Sequence, residues 1–304
     1  MHDQEGTPVR YSIMDPTGNI TALVESAVPV SYQPSLASVI MKLHPEVEQV
    51  GFVTFSPEGA GHADASLRMA GGEFCGNASM CAAALCLIRS RTGASDKISG
   101  EDFPENEVTL SLNVSGTEKP VAVSLRRTPG CGTETYTAAV RMPSASEIVR
   151  LALSHAGVKG DLPLVRMEGI SHIIIEEDSA FFSLLNDRAL AENAVRTWCG
   201  EISAQGLGLI FLEKNGPAQR LTPLVYIPGS NTVFWENSCA SGSAAAGMYL
   251  SDRSGSRVLL DFDEPGGTLS VDSSSADGTA ILIGRASLIG SHTLPADASY
   301  PFLA

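Results

Sequence analysis

Glu73-Phe74-Cys75-Gly76-Asn77-Ala78-Ser79 and Glu236-Asn237-Ser238-Cys239-Ala240-Ser241-Gly242-Ser243 decide how the whole chain is read. Each stretch passes from an acid through a cysteine to small residues and then into an Ala-rich segment. After the first comes Ala78 to Ile88, where Ala, Met, Leu and Cys have high helix propensity and no Gly or Pro interrupts. After the second, a small-residue helix is predicted from about Ser241 to Leu250. A solenoid needs about three or more copies of its unit. Two copies point instead to two halves that each carry one copy of a site, with the active site expected in the cleft between them.

Outward from the first motif the chain reads as strands broken by turns: Tyr11 to Met14, Asn19 to Val24, Val50 to Phe55, Val108 to Val114, Val121 to Leu125 and Thr137 to Arg141. Around Pro143-Ser144-Ala145-Ser146 a proline and small polar residues precede a helical-looking Glu147 to His155, which marks an expected domain boundary. The second half repeats the plan, with strands expected near His172 to Glu176, Gly208 to Leu212, Thr222 to Tyr226, Phe234-Trp235, Val258 to Asp261 and Ala280 to Gly284. Val271 to Gly278, rich in Ser, Asp and Ala, reads as an exposed loop.

Composition narrows the functions. With 304 residues the chain is long enough for two domains with sizeable cores, and 43% apolar residues with 29 Gly and 17 Pro describe a folded, turn-rich protein. The formal charge is −14 and no Lys or Arg run is concentrated enough to attract a phosphate backbone, so nucleic acid is not an expected partner. The N-terminal Met1-His2-Asp3-Gln4-Glu5-Gly6 is acidic rather than apolar, and nowhere do about 18 apolar residues run together. The expectation is a cytoplasmic protein with no signal peptide and no membrane span. Six cysteines are too few for a disulfide scaffold, so they are expected as thiols in a reducing compartment.

A thiol becomes a useful base when its thiolate is stabilised, and the first turn of a helix does this with unpaired N–H groups and the positive end of its dipole. The same amides bind carboxylates, and Gly76, Ser241 and Gly242 are small enough to admit a ligand close to the backbone. Inverting a stereocentre without a cofactor requires a base on one face and an acid on the other, with stabilisation of the charge between them. Two cysteines from two halves meet that need, each helix end lowering a thiol pKa from near 8.5. Facing each other across a small site they are also able to form a disulfide, so a reductant is expected to matter.

On these motifs the chain resembles the diaminopimelate epimerase family, with support from Thr17-Gly18-Asn19-Ile20-Thr21-Ala22-Leu23-Val24 and Gly169-Ile170-Ser171-His172. The resemblance covers nearly the whole chain. It implies an α+β fold of two pseudo-symmetric domains, each a sheet wrapped around a central helix, here 1–143 plus 290–304 and 144–289. It also implies that Cys75 and Cys239 are the acid/base pair, that Gly76, Asn77, Ala240, Ser241, Gly242 and Ser243 serve the α-carboxylate, and that Asn19 orients the substrate. The sequence departs from the family where diaminopimelate epimerases carry Glu-Arg-Gly before the second cysteine. Here Glu236-Asn237-Ser238 supplies no arginine for a second carboxylate. The chain is thus closer to the related branch that racemises amino acids with one carboxylate, including histidine racemases of opine metallophore synthesis. Glu236 and Glu73 are then expected to hold the α-ammonium or a side-chain N–H.

Blander readings stand beside these. Cys81, Cys86, Cys131 and Cys199 read as small buried hydrophobes, and Glu73 and Glu236 as acids favoured by helix dipoles. His172 reads as a substrate contact or as a polar residue capping a strand, and Asn19 as a turn residue after Gly18. The cysteine spacings lack the Cys-x-x-Cys of zinc sites, no nucleotide fingerprint follows a strand, and no lysine sits in a Schiff-base setting, so no metal and no cofactor are expected. The expected partner is a small amino-acid substrate, with a homodimer as the assembly to test. A diaminopimelate epimerase with altered distal recognition and a catalytically silent amino-acid-binding protein are the alternatives.

Overall fold

The computed structural model describes residues 8–56, 63–93, 107–128, 134–229, 231–276 and 278–295. The chain folds into two compact units, Met1–Val140 with Gly284–Ala304 and Arg141–Ile283. It runs through β1 (Val9–Asp15), β2 (Thr21–Val24), α1 (Gln33–Leu43), β3 (Gln49–Phe55), β4 (Ala65–Met69), α2 (Gly76–Gly93), β5 (Val108–Val114), β6 (Val121–Arg127) and β7 (Thr135–Met142). It continues through β8 (Glu147–His155), β9 (Val158–Arg166), β10 (Ser171–Glu176), α3 (Arg188–Glu201), β11 (Leu207–Asn215), β12 (Ala218–Ile227), β13 (Thr232–Trp235), α4 (Ala240–Ser254), β14 (Val258–Glu264), β15 (Gly267–Ser274) and β16 (Thr279–Leu294). The class is mixed α+β and dominated by sheet.

In the first unit the strands pair in the order β1-β2-β3-β4-β5-β6-β7 and then β16, which pairs back onto β1, so the sheet closes like a barrel. Closure leaves no sheet edge, and the interior is filled by α2. Ala78, Met80, Cys81, Ala82, Ala83, Ala84 and Leu85 are all fully buried. Over these residues the helix has no solvent face, and its alanines let strands approach it closely. In the second unit the order is β16-β15-β14-β12-β11-β10-β9-β8, with β13 on β12, and α4 packs against β15, β14 and β9. Gly247 shows why α4 must be built from small residues: a Cβ there would lie 2.5 Å from Val271 Cγ1.

The pairings of the two units repeat. Antiparallel β1–β2, parallel β2–β3, antiparallel β3–β4, parallel β4–β5 and antiparallel β5–β6 and β6–β7 are matched by β9–β10, β10–β11, β11–β12, β12–β14, β14–β15 and β15–β16. Each parallel neighbour requires a crossover, and the crossovers are α1 and α2 in one unit, α3 and α4 in the other. Neither α1 nor α3 has a counterpart in the sequence expectations, nor do β4 and β9. The signal for α3 is present in the chain: Asp187 caps it by accepting the Leu190 N–H at 3.0 Å, and Ala191, Ala194, Val195, Trp198 and Cys199 form its buried stripe.

Two local expectations are corrected. Glu147 to His155 is not helical; it is β8, paired with β9 along its length from Glu147↔Arg166 to His155↔Val158. The connecting Ala156 and Gly157 both have positive φ, 48° and 83°, the geometry of a tight hairpin turn whose twist matches the strands. Cross-strand pairing outweighs the modest helix propensity of the segment. The stretch from Val271 is not a loop until past Ser274, because Leu269, Val271 and Ser273 face inward in β15 while Asp272 faces out to Arg257. Serine and aspartate, ordinarily loop formers, here include the outward phase of a strand.

Candidate active site

In the first unit Cys75 stands immediately before α2. Its carbonyl accepts the Ser79 N–H at 3.0 Å and the Ser79 hydroxyl at 2.7 Å, and its sulfur accepts the Ala78 N–H at 3.3 Å, the bond an N-cap side chain makes. The Cys75 thiol donates to Gln49 Oε1 at 3.1 Å. Gln49 Nε2 donates to Thr21 Oγ1 at 2.7 Å, and the Thr21 hydroxyl donates to the Asn19 carbonyl at 2.9 Å. This chain has a direction. Since the Thr21 proton goes to Asn19, Thr21 must accept from the amide nitrogen of Gln49, which turns the amide oxygen toward Cys75. Cys75 is thus linked through Gln49 and Thr21 to the Asn19 carbonyl.

The segment leading to Cys75 is pinned from β5. Ser115 Oγ accepts the Met69 N–H at 3.0 Å and donates to the Glu73 carbonyl at 2.8 Å. Next to it Gly116, at φ 78°, lies so close that a Cβ would meet the Phe74 nitrogen at 2.3 Å. Burial pushes the Glu73 carboxyl above its usual range, opposed by a hydrogen bond from its own backbone and by Arg68. Asn77 is buried in the first turn of α2 and Gly76 is the first residue of that helix.

In the second unit Cys239 is the N-cap residue of α4. Its carbonyl accepts the Ser243 N–H at 2.9 Å, and its sulfur lies 3.7 Å from Ser241 Oγ. A Cβ on Gly242 would lie 3.1 Å from Cys239 Sγ and 2.5 Å from Ile210 Cδ1, so glycine is what allows the helix start to close over the thiol. Burial pushes the Cys239 thiol well above the ordinary range, with further increases from the nearby carboxyls of Glu236 and Glu264 and a hydrogen bond to Glu236; the Gly242 amide acts the other way. This corrects the expectation that the helix end lowers both thiols: for Cys239, desolvation and two acids outweigh one amide.

Glu264 is absent from the sequence expectations. One of its oxygens accepts the Cys239 N–H at 2.6 Å and the other takes the Ser243 hydroxyl. The signal that could have found it is its phase: in β14 burial deepens along Val258, Leu260 and Phe262, and Glu264 occupies the next inward position, where a carboxylate is out of place without partners. Gln49 likewise carries no motif that marks it for the site, and Thr21 lies in the Thr17 to Val24 segment without a role of its own being expected. Asn237 enters through its backbone, its carbonyl accepting the Gly266 N–H at 2.7 Å, and Ala240 is the buried first residue of α4.

His172 lies on β10 beside Gly208 of β11, where a Cβ would meet the ring at 2.3 Å. It is fully buried, and neither ring nitrogen has a hydrogen-bond partner among the described residues. Burial lowers its pKa to about 3, so it is neutral. Cys81 and Cys199 are buried as expected, Cys86 is only partly so, and Cys131 lies outside the described residues. Among the described residues the cysteines are thiols rather than disulfides, no group of three or more His, Cys, Asp or Glu is placed to hold a metal ion, and no helix is long and apolar enough to cross a membrane.

Two of these buried groups set opposite slopes of stability against pH. Burial raises Glu264 from 4.5 to about 8, so across that window the folded chain keeps a proton the unfolded chain has lost, and stability falls as pH rises. His172, lowered from 6.5 to about 3, binds its proton only when unfolded, so its contribution rises with pH up to 6.5. Together they predict a plateau between pH 4.5 and 6.5 and a decline from there to about 8, at roughly 1.4 kcal/mol per pH unit for one proton. Denaturant unfolding at a series of pH values checks this; a Glu264→Gln chain that still shows the decline would assign it elsewhere.

The fold defines a class first. Over 97% of this chain and 94% of the other, it is similar to the crystal structure of a hydroxyproline epimerase from Agrobacterium vitis with bound trans-4-hydroxy-L-proline, at TM-score 0.65 and 15% identity. It is similar, over 94% of this chain and 99% of the other, to a putative phenazine biosynthesis PhzC/PhzF protein from Clostridium difficile, at TM-score 0.58 and 13% identity. At such identities the likeness is one of fold. The family is set by sequence: the model described as the histidine racemase CntK N-terminal domain matches residues 8–287, and the chain belongs to that family. It is 29% identical over 243 residues to a histidine racemase from Fusobacterium nucleatum subsp. nucleatum, covering 78% of this chain and 79% of that one. With the histidine racemase of Staphylococcus aureus it shares 28% over 269 residues, covering 87% and 88%. The chain is an isomerase, an amino-acid racemase.

Proposed function

We propose that the chain racemises histidine without a cofactor, one cysteine removing the α-proton while the other returns a proton to the opposite face. The observation that carries this reading is that Cys75 and Cys239 occupy equivalent places in the repeated topology, each at the start of the buried Ala-rich helix of its unit. The family match and the histidine racemase relatives support the substrate. So does the absence of an arginine from Glu236 to Cys239, which leaves a second substrate carboxylate without a bidentate partner there.

The Cys75 thiol donates to Gln49, and burial with the neighbouring acids raises the Cys239 thiol. One must lose its proton to act, and Glu236, hydrogen-bonded to Cys239, is placed to accept it. The amides of Gly76 and Asn77 and of Ala240 and Ser241, with the Ser241 hydroxyl, serve the α-carboxylate. Asn19, Asn77, Glu73, His172 and Asn237 are the further substrate-binding candidates, while Gly242 and Ser243 shape the helix start around Cys239. The architecture we assign is diaminopimelate epimerase-like, with domains 1–143 plus 290–304 and 144–289. A reducing cytoplasm suits two reactive thiols.

The test is proton NMR of L-histidine with the reduced chain in deuterated water. Loss of the α-proton signal with appearance of D-histidine is the expected result. Histidine that keeps its α-proton while another amino acid exchanges would replace the substrate, and exchange of none would remove the racemisation of histidine from this chain.

A further inference from the structure

Glu264 has no part in the chemistry proposed above, yet it is 7% exposed, the most buried acid among the described residues. Its location gives it a task. At the start of a helix a glutamate three residues inside often reaches back to the N-cap N–H. In α4 that position is Gly242, which has no side chain to offer. Glu264 fills the place from β14 by accepting the Cys239 N–H at 2.6 Å, while its second oxygen takes the hydroxyl of Ser243 one turn on. The turn between β14 and β15 also holds the approach to the cysteine, since the Gly266 N–H donates to the Asn237 carbonyl at 2.7 Å. Residues 237–239 are thus pinned at both ends by residues 264–266.

We infer that Glu264 is the positioning residue of Cys239, fixing the backbone that carries the thiol and placing a carboxyl group where its charge acts directly on the sulfur. The inference rests on the reading of Cys239 as a catalytic thiol. The groups that face Glu264 are Cys239 and Ser243 on α4 and Glu236 on the segment before it. Burial pushes Glu264 up to about 8, with hydrogen bonds from Ser243 and Cys239 pulling it down and Glu236 pushing it up. It is therefore neutral at pH 7 and becomes charged just above. In a site closed to water, that new charge opposes formation of the neighbouring thiolate. Glu264 thus sets an upper pH limit on how readily Cys239 works as a base, whereas the relay to Cys75 runs through the neutral Gln49.

The experiment follows the Cβ resonances of Cys239 and Cys75 in protein labelled with [3-13C]cysteine, assigned with Cys239→Ser and Cys75→Ser, from about pH 6 to about pH 11. Glu264→Gln keeps a carbonyl oxygen for the Cys239 N–H and removes the charge. In it Cys239 is expected to titrate about one pH unit earlier than in the wild type, with Cys75 unmoved. Glu264→Ala removes the hydrogen bonds as well, and its kcat is expected to fall roughly 10- to 100-fold with little change in KM, with Glu264→Gln lying above it. A Cys239 titration in Glu264→Gln that overlays the wild type overturns the inference, as does a Glu264→Ala chain with wild-type kcat. The titration is independent of turnover: a wild-type chain that leaves histidine unexchanged would sink the proposed function while the Cys239 shift still reports on Glu264.

Discussion

In deuterated water, Cys239→Ala and Cys75→Ala are each expected to lose racemisation by about 10²- to 10⁴-fold, the range that positioned acid–base groups contribute. The losses should differ in kind. A chain with Cys75 alone keeps a group able to take the α-proton from one face, exchange it with solvent and return deuterium to the same face. It should wash the label into one enantiomer of histidine with retention, and a chain with Cys239 alone should do so with the other enantiomer. The Cys239-only activity should be the weaker of the two near neutral pH, because burial and Glu236 oppose its thiolate whereas the Cys75 sulfur belongs to a residue that is only partly buried. Chiral chromatography with NMR of the recovered histidine reads both outcomes. If a single variant still inverts the substrate at the wild-type rate, a two-thiol mechanism cannot stand.

Gly116→Ala is expected to be the most damaging of the small substitutions. A Cβ there would sit 2.3 Å from the Phe74 nitrogen and 2.8 Å from the Glu73 carbonyl carbon, and the residue has φ 78°. Neither obstacle is a side chain that can swing aside. The strain of a left-handed alanine and the displacement of the 73–75 backbone add to a loss on the order of 3 kcal/mol. For a unit of this size that corresponds to roughly a 10 °C fall in Tm. Because the displaced backbone carries Cys75, activity at a permissive temperature should fall as well. A Gly116→Ala chain melting within about 2 °C of the wild type would mean that β5 and the Cys75 segment are not packed as described.

Much of the site is legible in the chain because it lies in local sequence. Cys75 and Cys239 declare themselves by duplicated context, since a helix start is a local feature: the small residues, the cysteine and the Ala-rich run follow one another without interruption. Glu236 is found the same way and does bear on Cys239. Gln49 and Glu264 are not legible from the motifs, because they reach the cysteines through pairings that bring residues 26 and 25 positions away into hydrogen-bond range. Only the inward phase of Glu264 hints at it. His172 is legible as a residue of interest but not as a neutral imidazole packed against Gly208, a fact that depends on the parallel register of β10 and β11.

By itself the sequence determined where the helices that carry the two cysteines begin, that the chain has two copies of one plan, and that the second copy lacks an arginine for a distal carboxylate. These follow from side-chain size, helix propensity and charge, which act over one or two turns of chain. Tertiary structure decided that Glu147 to His155 is a strand rather than a helix, that Val271 to Ser274 is paired rather than loose, and that Cys239 is a buried thiol flanked by acids. Each of those outcomes depends on what lies across the sheet or behind the helix, and on how much water reaches it. A thiol's readiness to lose its proton is a balance of desolvation against neighbouring charge, and neither quantity exists until the chain has folded around it.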